Sequence, residues 1–124
     1  MEFIEAPAFT RLLPRYFRDD EYVALQIELQ ENPLAGEVIV STGGFRKLRW
    51  QDRSRGKGRR GGLRIIYYYF LSDQEIWLMT VYGKNEAADL TSDQKKGLRS
   101  AIQAELRVRE AKRTEPSGKS RRQA

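Results

Sequence analysis

Five residues able to handle a phosphate recur at strand spacing through the middle of this 124-residue chain. They are Lys47 and Arg49 in FRKLRW, Arg64 at the head of LRIIYYYF, and Tyr82 and Lys84 at the end of EIWLMTVYGK. Guanidinium groups stabilise the charge that builds on a phosphorane-like transition state. A lysine flanked by other cations gives up its proton more readily than an isolated one, which singles out Lys47 or Lys84 to help remove a 2′-hydroxyl proton. On RNA such a set would cleave by 2′-hydroxyl attack. The chain has no histidine and no cysteine. That removes the imidazole acid–base pair, a disulfide framework and thiolate metal ligands, and zinc would have to be held by carboxylates alone. The expected chemistry therefore uses no metal and no cofactor.

Charge is concentrated, and this points to a polyanion. The chain carries +6 overall, but residues 46 to 64 alone carry +8, with nine basic side chains and the single acid Asp52. Residues 112 to 124 add +4, which leaves −6 for the remainder. A face of one sign attracts phosphates, whereas a solubilising pattern would intersperse the signs. The loop RGKGRRGG lacks the GxxxxGK[ST] spacing of a nucleotide-triphosphate site. It reads as a cationic clamp on a nucleic-acid backbone, with Lys57, Arg59 and Arg60 as contacts and Arg46 as a further one.

The elements that must position these groups follow from periodicity. Phe3 and Ile4 suit a short edge strand closed by Pro7. Phe9, Leu12, Leu13, Tyr16 and Phe17 have helical spacing that Pro14 should end or kink. Asp19 or Asp20 offers an N-cap for a second helix with Tyr22, Leu25 and Leu29 on one face, stopped at Asn32-Pro33. Strands are expected over Gly36 to Val40, Phe45 to Gln51, Leu63 to Leu71 and Glu75 to Tyr82, the last two as an antiparallel hairpin. A turn at Ser41–Gly44 joins the first two, and Asp52 to Gly62 reads as an exposed, mobile loop. Thr91-Ser92-Asp93 can cap a last helix whose Leu98, Ile102 and Leu106 face the sheet. The expected fold class is α+β: an N-terminal helical hairpin and a C-terminal helix on a small, mainly antiparallel twisted sheet. Residues 1–110 form one domain and residues 111–124 a basic disordered tail. An acidic N-terminus and the lack of an apolar run near twenty residues predict a soluble, cytoplasmic protein without a membrane partner.

Alternation sorts the strand residues by face. Leu48 and Trp50 suit a buried face, which turns Lys47 and Arg49 to the open side. Leu63, Ile65, Tyr67 and Tyr69 suit the core, leaving Arg64, Ile66 and Tyr68 opposite. If the three strands are neighbours, Lys47, Arg49, Arg64, Tyr82 and Lys84 converge. The competing reading is a set of separately solvated residues on an open sheet face. Convergence is preferred because like charges on neighbouring strands repel unless an anion lies between them. Tyr68 on that face could stack on an unpaired base, whereas Trp50, Trp77 and Phe70 read as core.

The order of segments, GGFRK, GKGRRGG, RIIYY, YGKNE and DLT followed by a terminal helix, resembles the RelE/HigB superfamily of toxins from type II toxin–antitoxin modules, within its HigB-like branch. The resemblance covers residues 1 to about 110. It implies a RelE-like compact fold and an mRNA interferase, a ribosome-dependent endoribonuclease that cuts messenger RNA in the ribosomal A site against ribosomal RNA. It also implies a cognate helix-turn-helix (HigA-like) antitoxin, with operator DNA reached only through that partner. On the family pattern Lys47 and Arg49 take the paired basic positions for proton abstraction and phosphate contact, and Arg64 the arginine that stabilises the scissile phosphate. Lys84 lies in G-K-x-E. Asn85, an RNA contact, stands where the best-known branch has an arginine proposed as general acid, and Leu90 stands near that branch's base-stacking tyrosine. Lys84 or Tyr82 would then protonate the leaving group, or no general acid is needed. A non-catalytic RNA- or ribosome-binding module and a DNA-binding co-repressor are the alternatives.

Overall fold

The computed structural model of the chain describes residues 1–52, 62–84 and 89–114. Those residues form three helices and five strands: β1 (Glu2–Glu5), α1 (Pro7–Tyr16), α2 (Asp19–Glu31), β2 (Glu37–Val38), β3 (Arg46–Trp50), β4 (Leu63–Phe70), β5 (Glu75–Gly83) and α3 (Ser92–Thr114). The fold is α+β with one mixed sheet in the order β1-β5-β4-β3-β2. Only β1 and β5 run parallel, and the other three pairings are antiparallel.

Local chemistry accounts for the element ends. Pro7 opens α1 where its missing N–H costs nothing, and Pro14 lies in the last turn, so the helix stops two residues later with the Phe17 N–H on the Leu13 carbonyl. The second helix starts one residue before the expected caps: Arg18 occupies the N-cap position, and its N–H donates to Glu21 Oε1 at 2.8 Å. Asp19, Asp20 and Glu21 then sit in the first turn, where the helix dipole favours acids. The strand expected over residues 36–40 shortens to Glu37–Val38 because Thr42 takes over the turn. Its hydroxyl donates to the Ile39 carbonyl (2.7 Å) and accepts from the Phe45 N–H (3.1 Å). Gly43 (φ 81°) and Gly44 (φ 115°) supply left-handed backbone there.

Both sheet faces carry a core. On one, Phe9 and Tyr16 of α1 and Leu25 and Leu29 of α2 pack on Leu48, Trp50, Leu63, Ile65, Tyr67 and Leu78. The Tyr67 hydroxyl donates to the Pro33 carbonyl (2.7 Å) and accepts from the Gly36 N–H (2.9 Å), which pins the chain between α2 and β2. On the other face α3 brings Ile102 and Leu98 onto Phe45, Ile66, Phe70, Trp77 and Met79. Ile66, which strand alternation places on the open side, is fully buried, because that side is half covered by α3. Thr91 caps α3 by accepting from the Gln94 N–H, while Gln94 Oε1 accepts from the Thr91 N–H. The helix continues to Thr114, so residues 111–114 are helical, beyond the domain end expected at 110. Among the described residues no helix is long and apolar enough to cross a membrane.

Candidate functional site

The register of the three central strands sets Arg49 opposite Arg64, and Arg64 opposite Tyr82. Neighbouring strands lie about 4.8 Å apart, so the three side chains form a row roughly 10 Å across. The next rung along is Lys47, Ile66 and Thr80. Arg49 is exposed, and Arg64 is only 5 % exposed. Burial, and then the neighbouring Arg49 charge, hold the Arg64 guanidinium below its ordinary pKa. This is the cation crowding expected around a lysine, located instead on an arginine.

Tyr82 reaches the row through a bulge. Ile66 pairs with Thr80 but Tyr67 pairs with Leu78, so Met79 is an extra residue in β5. Upstream of it Trp77 and Met79 face α3; downstream the alternation is reset, and Thr80 and Tyr82 take that face. Without the bulge Tyr82 would join Leu78 and Ile76 beneath α1 and α2. Its hydroxyl is buried and has no hydrogen-bond partner among the described residues. Burial first, then the Asp89 carboxylate, raise its pKa, while Arg64 pulls the other way.

Asp89 is the member of the site that strand periodicity does not reveal. Its Oδ1 lies 3.6 Å from Lys47 Nζ and accepts from the Leu90 N–H at 2.8 Å. That backbone hydrogen bond, helped by Lys47 and Lys95, holds the carboxyl below the usual range although burial opposes it. Lys47 thus has a carboxylate, as well as cations, for company. The sequence signal was the acid of ADLT just ahead of the α3 cap, which in one dimension reads only as a turn residue.

The remaining candidates divide. Lys84 is exposed past the end of β5, with its N–H on the Gly62 carbonyl at 3.0 Å. Arg46 lies on the opposite parity and donates to the Gly36 carbonyl at 2.8 Å, so it braces the β2 connection and does not join the row. Tyr68 is not a free platform. It packs edge-on against Phe45 (5.4 Å between centroids) and at 4.8 Å against Phe70, four residues along β4 from Arg64 or about 13 Å. Trp50 belongs to the first core, and Trp77 and Phe70 to the second. Lys57, Arg59, Arg60 and Asn85 lie outside the described residues. Among the described residues no three acidic side chains gather in a way that would hold a metal ion.

No protein-family model matches the chain.

Proposed function

We propose that this chain is a RelE/HigB-type toxin: a ribosome-dependent endoribonuclease that cuts messenger RNA in the A site and is neutralised by a cognate helix-turn-helix antitoxin. The observation that carries the reading is the Arg49–Arg64–Tyr82 row, beside the Lys47–Asp89 pair and past the aromatic half of the sheet that α3 packs against. Its chemistry supports cleavage by 2′-hydroxyl attack that leaves a 2′,3′-cyclic phosphate and a 5′-hydroxyl, with no metal step. Arg64 and Arg49 stabilise the phosphorane charge. Lys47, held by Asp89, faces the attacking oxygen and stabilises it as its proton leaves to solvent. The Tyr82 hydroxyl is buried beside Arg64, so the exposed Lys84 past the end of β5 is the proposed proton donor to the departing 5′ oxygen. Lys84 and the cations of residues 53–61 add phosphate contacts. The family assignment, the A site, ribosomal RNA, cytoplasmic action and the antitoxin rest on the order of sequence segments.

The test is inducible expression in bacteria of wild type, Arg64→Ala and Arg64→Lys, with growth followed and 5′-hydroxyl RNA ends mapped. New ends in translated regions, in phase with codons and lost in Arg64→Ala, are the expected result. A fully active Arg64→Ala protein would remove the site assignment. Arrest without new ends would mark a non-catalytic ribosome binder. Absence of arrest, with operator binding strictly dependent on the antitoxin, would mark a co-repressor.

A further inference from the structure

Helix α2 carries apolar side chains on both of its sides. Leu25 and Leu29 are buried against the sheet, whereas Val23 and Ile27, one turn apart on the outer side, are 51 % and 52 % exposed. Residues three and four apart are neighbours on a helix surface, so Asp20, Val23, Ala24, Ile27 and Glu31 form one continuous outward strip, and all five are exposed. A single exposed valine or isoleucine calls for no explanation. Two joined at the centre of a strip that has an acid at each end describe a contact surface.

Charge around the strip has one sign. Residues 19 to 45 hold six acids and no base. A helix that faced only water would intersperse lysine or arginine four residues from its acids, and α2 has neither.

The N-terminal end of the strip opens onto a cavity of about 180 Å³. Tyr16, Phe17 and Trp50 line it, and Asp20, Glu21 and Ala24 stand with them. The volume falls short of small-molecule sites, roughly 300–1,000 Å³, and suits one inserted side chain. Aromatic rings attract a cation through their quadrupoles, and the two carboxylates act in the same direction. That side chain is therefore an arginine or a lysine.

Position separates this surface from the candidate phosphate site. Helix α2 packs on the sheet face that carries Leu48 and Trp50, while Arg49 and Arg64 lie on the other. An acidic strip repels phosphate, which removes nucleic acid as its occupant.

We infer that the outer face of α2 is a docking surface for a basic amphipathic helix of a protein partner. The partner's apolar stripe covers Val23 and Ile27, its flanking cations meet Asp20 and Glu31, and one cation enters the cavity beside Trp50. A second copy of this chain is the rival occupant, since residues 46 to 64 are cationic. The apolar residues of that segment favour a different partner: Leu48, Trp50, Leu63 and their neighbours in the core are buried and offer nothing to Val23 and Ile27. The inference does not depend on the RNA reading.

The test uses the full chain and a fluorescein-labelled, stapled helical peptide about four turns long, with leucines along one face and arginines on both sides of them. Two control peptides replace the arginines by glutamine or the leucines by serine, and binding is read by anisotropy. Wild type should bind the first peptide at micromolar concentration and each control roughly tenfold more weakly. Ile27→Ser changes no charge at an exposed position and should weaken binding roughly tenfold. Asp20→Asn should lose a similar factor, which shrinks as salt is added. Arg64→Ala, on the other side of the sheet, should bind as wild type does, and melting curves report the fold of every variant.

Equal affinity in wild type and Ile27→Ser would overturn the inference, because diffuse charge alone would then hold the peptide. Failure of wild type to bind the peptide would overturn it too. If that failure comes with self-association in sedimentation that Asp20→Asn abolishes, the face belongs to a second copy. If the peptide results hold but wild type cuts no transcript, the nuclease reading falls and the docking surface stands.

Discussion

Arg64 and Arg109 are guanidiniums tucked against the same face of the sheet, and their pKa values are shifted in opposite directions. Arg109, on α3, lies 3.7 Å from the centre of the Phe70 ring and pairs with Asp73, with Glu75 at 2.6 Å and with Glu105 at 2.9 Å. Burial works against its charge, but the ion pair with Glu75 and the hydrogen bonds donated to Asp73 and Glu105 hold its pKa above the ordinary arginine value. Arg64 has Arg49 and Tyr82 as its cross-strand neighbours, and its pKa is pushed down. A buried cation that is closely compensated acts as a clamp. A buried arginine whose pKa is lowered by burial and by a neighbouring cation is a candidate phosphate ligand. The same side chain thus fastens α3 at one end of the sheet and marks a candidate phosphate site at the other.

That contrast can be broken first at Arg64. Removing a preorganised donor to transition-state charge costs about 10²–10³ in rate, so Arg64→Ala should lose cleavage by that factor, read from 5′-hydroxyl ends per transcript. Its urea midpoint, measured alongside, separates loss of the site from loss of the fold.

Arg109→Ala should do the reverse. It strands three partly buried carboxylates and uncovers Phe70, for a loss of about 2 kcal/mol in urea unfolding. Cleavage per folded molecule should be unchanged. If Arg109→Ala abolished cleavage at wild-type stability, the division of labour between the two arginines would be wrong.

Tyr82 sharpens the comparison by titration. Subtracting the phenolate absorbance curve of Tyr82→Phe from that of wild type should place the Tyr82 midpoint above the ordinary tyrosine value of about 10. Asp89→Asn should lower that midpoint and Arg64→Met should raise it, since the two neighbours act in opposite directions. The unfolded state releases this proton first as pH rises, so Tyr82 makes the native state less stable with rising pH above about 10.

The smallest effect is expected at Asp89. Its carboxyl titrates below the usual range in the native state, so the stability it adds is present above the ordinary carboxylate pKa and fades as pH falls through the depressed value. The side chain is 57 % exposed, which limits the contribution to about 0.5 kcal/mol or less. Asp89→Asn should therefore flatten the acid limb of the stability curve slightly. If the carboxylate positions Lys47, the same variant should lower cleavage by more than this stability change explains.

Several of these features are written into the residues themselves. The absence of histidine and cysteine restricts the chemistry in any fold. The period-2 pattern of FRKLRW and LRIIYYYF puts Lys47 and Arg49 opposite Leu48 and Trp50, and Arg64 opposite Leu63 and Ile65, because strand alternation is a local property of the backbone. The caps at Thr91 and the turn at Gly43–Gly44 are equally local. What the linear pattern could not supply was set by contacts between distant segments. The Met79 bulge, which brings Tyr82 onto the arginine row, depends on how β5 registers with β4. Burial of Ile66 and partial burial of Tyr68 depend on α3 folding back over that face, and the meeting of Lys47 with Asp89, 42 positions apart, depends on where α3 begins. Alternation fixes the side of a strand on which a residue stands. Only packing decides which neighbour it meets there and whether that side is left to solvent.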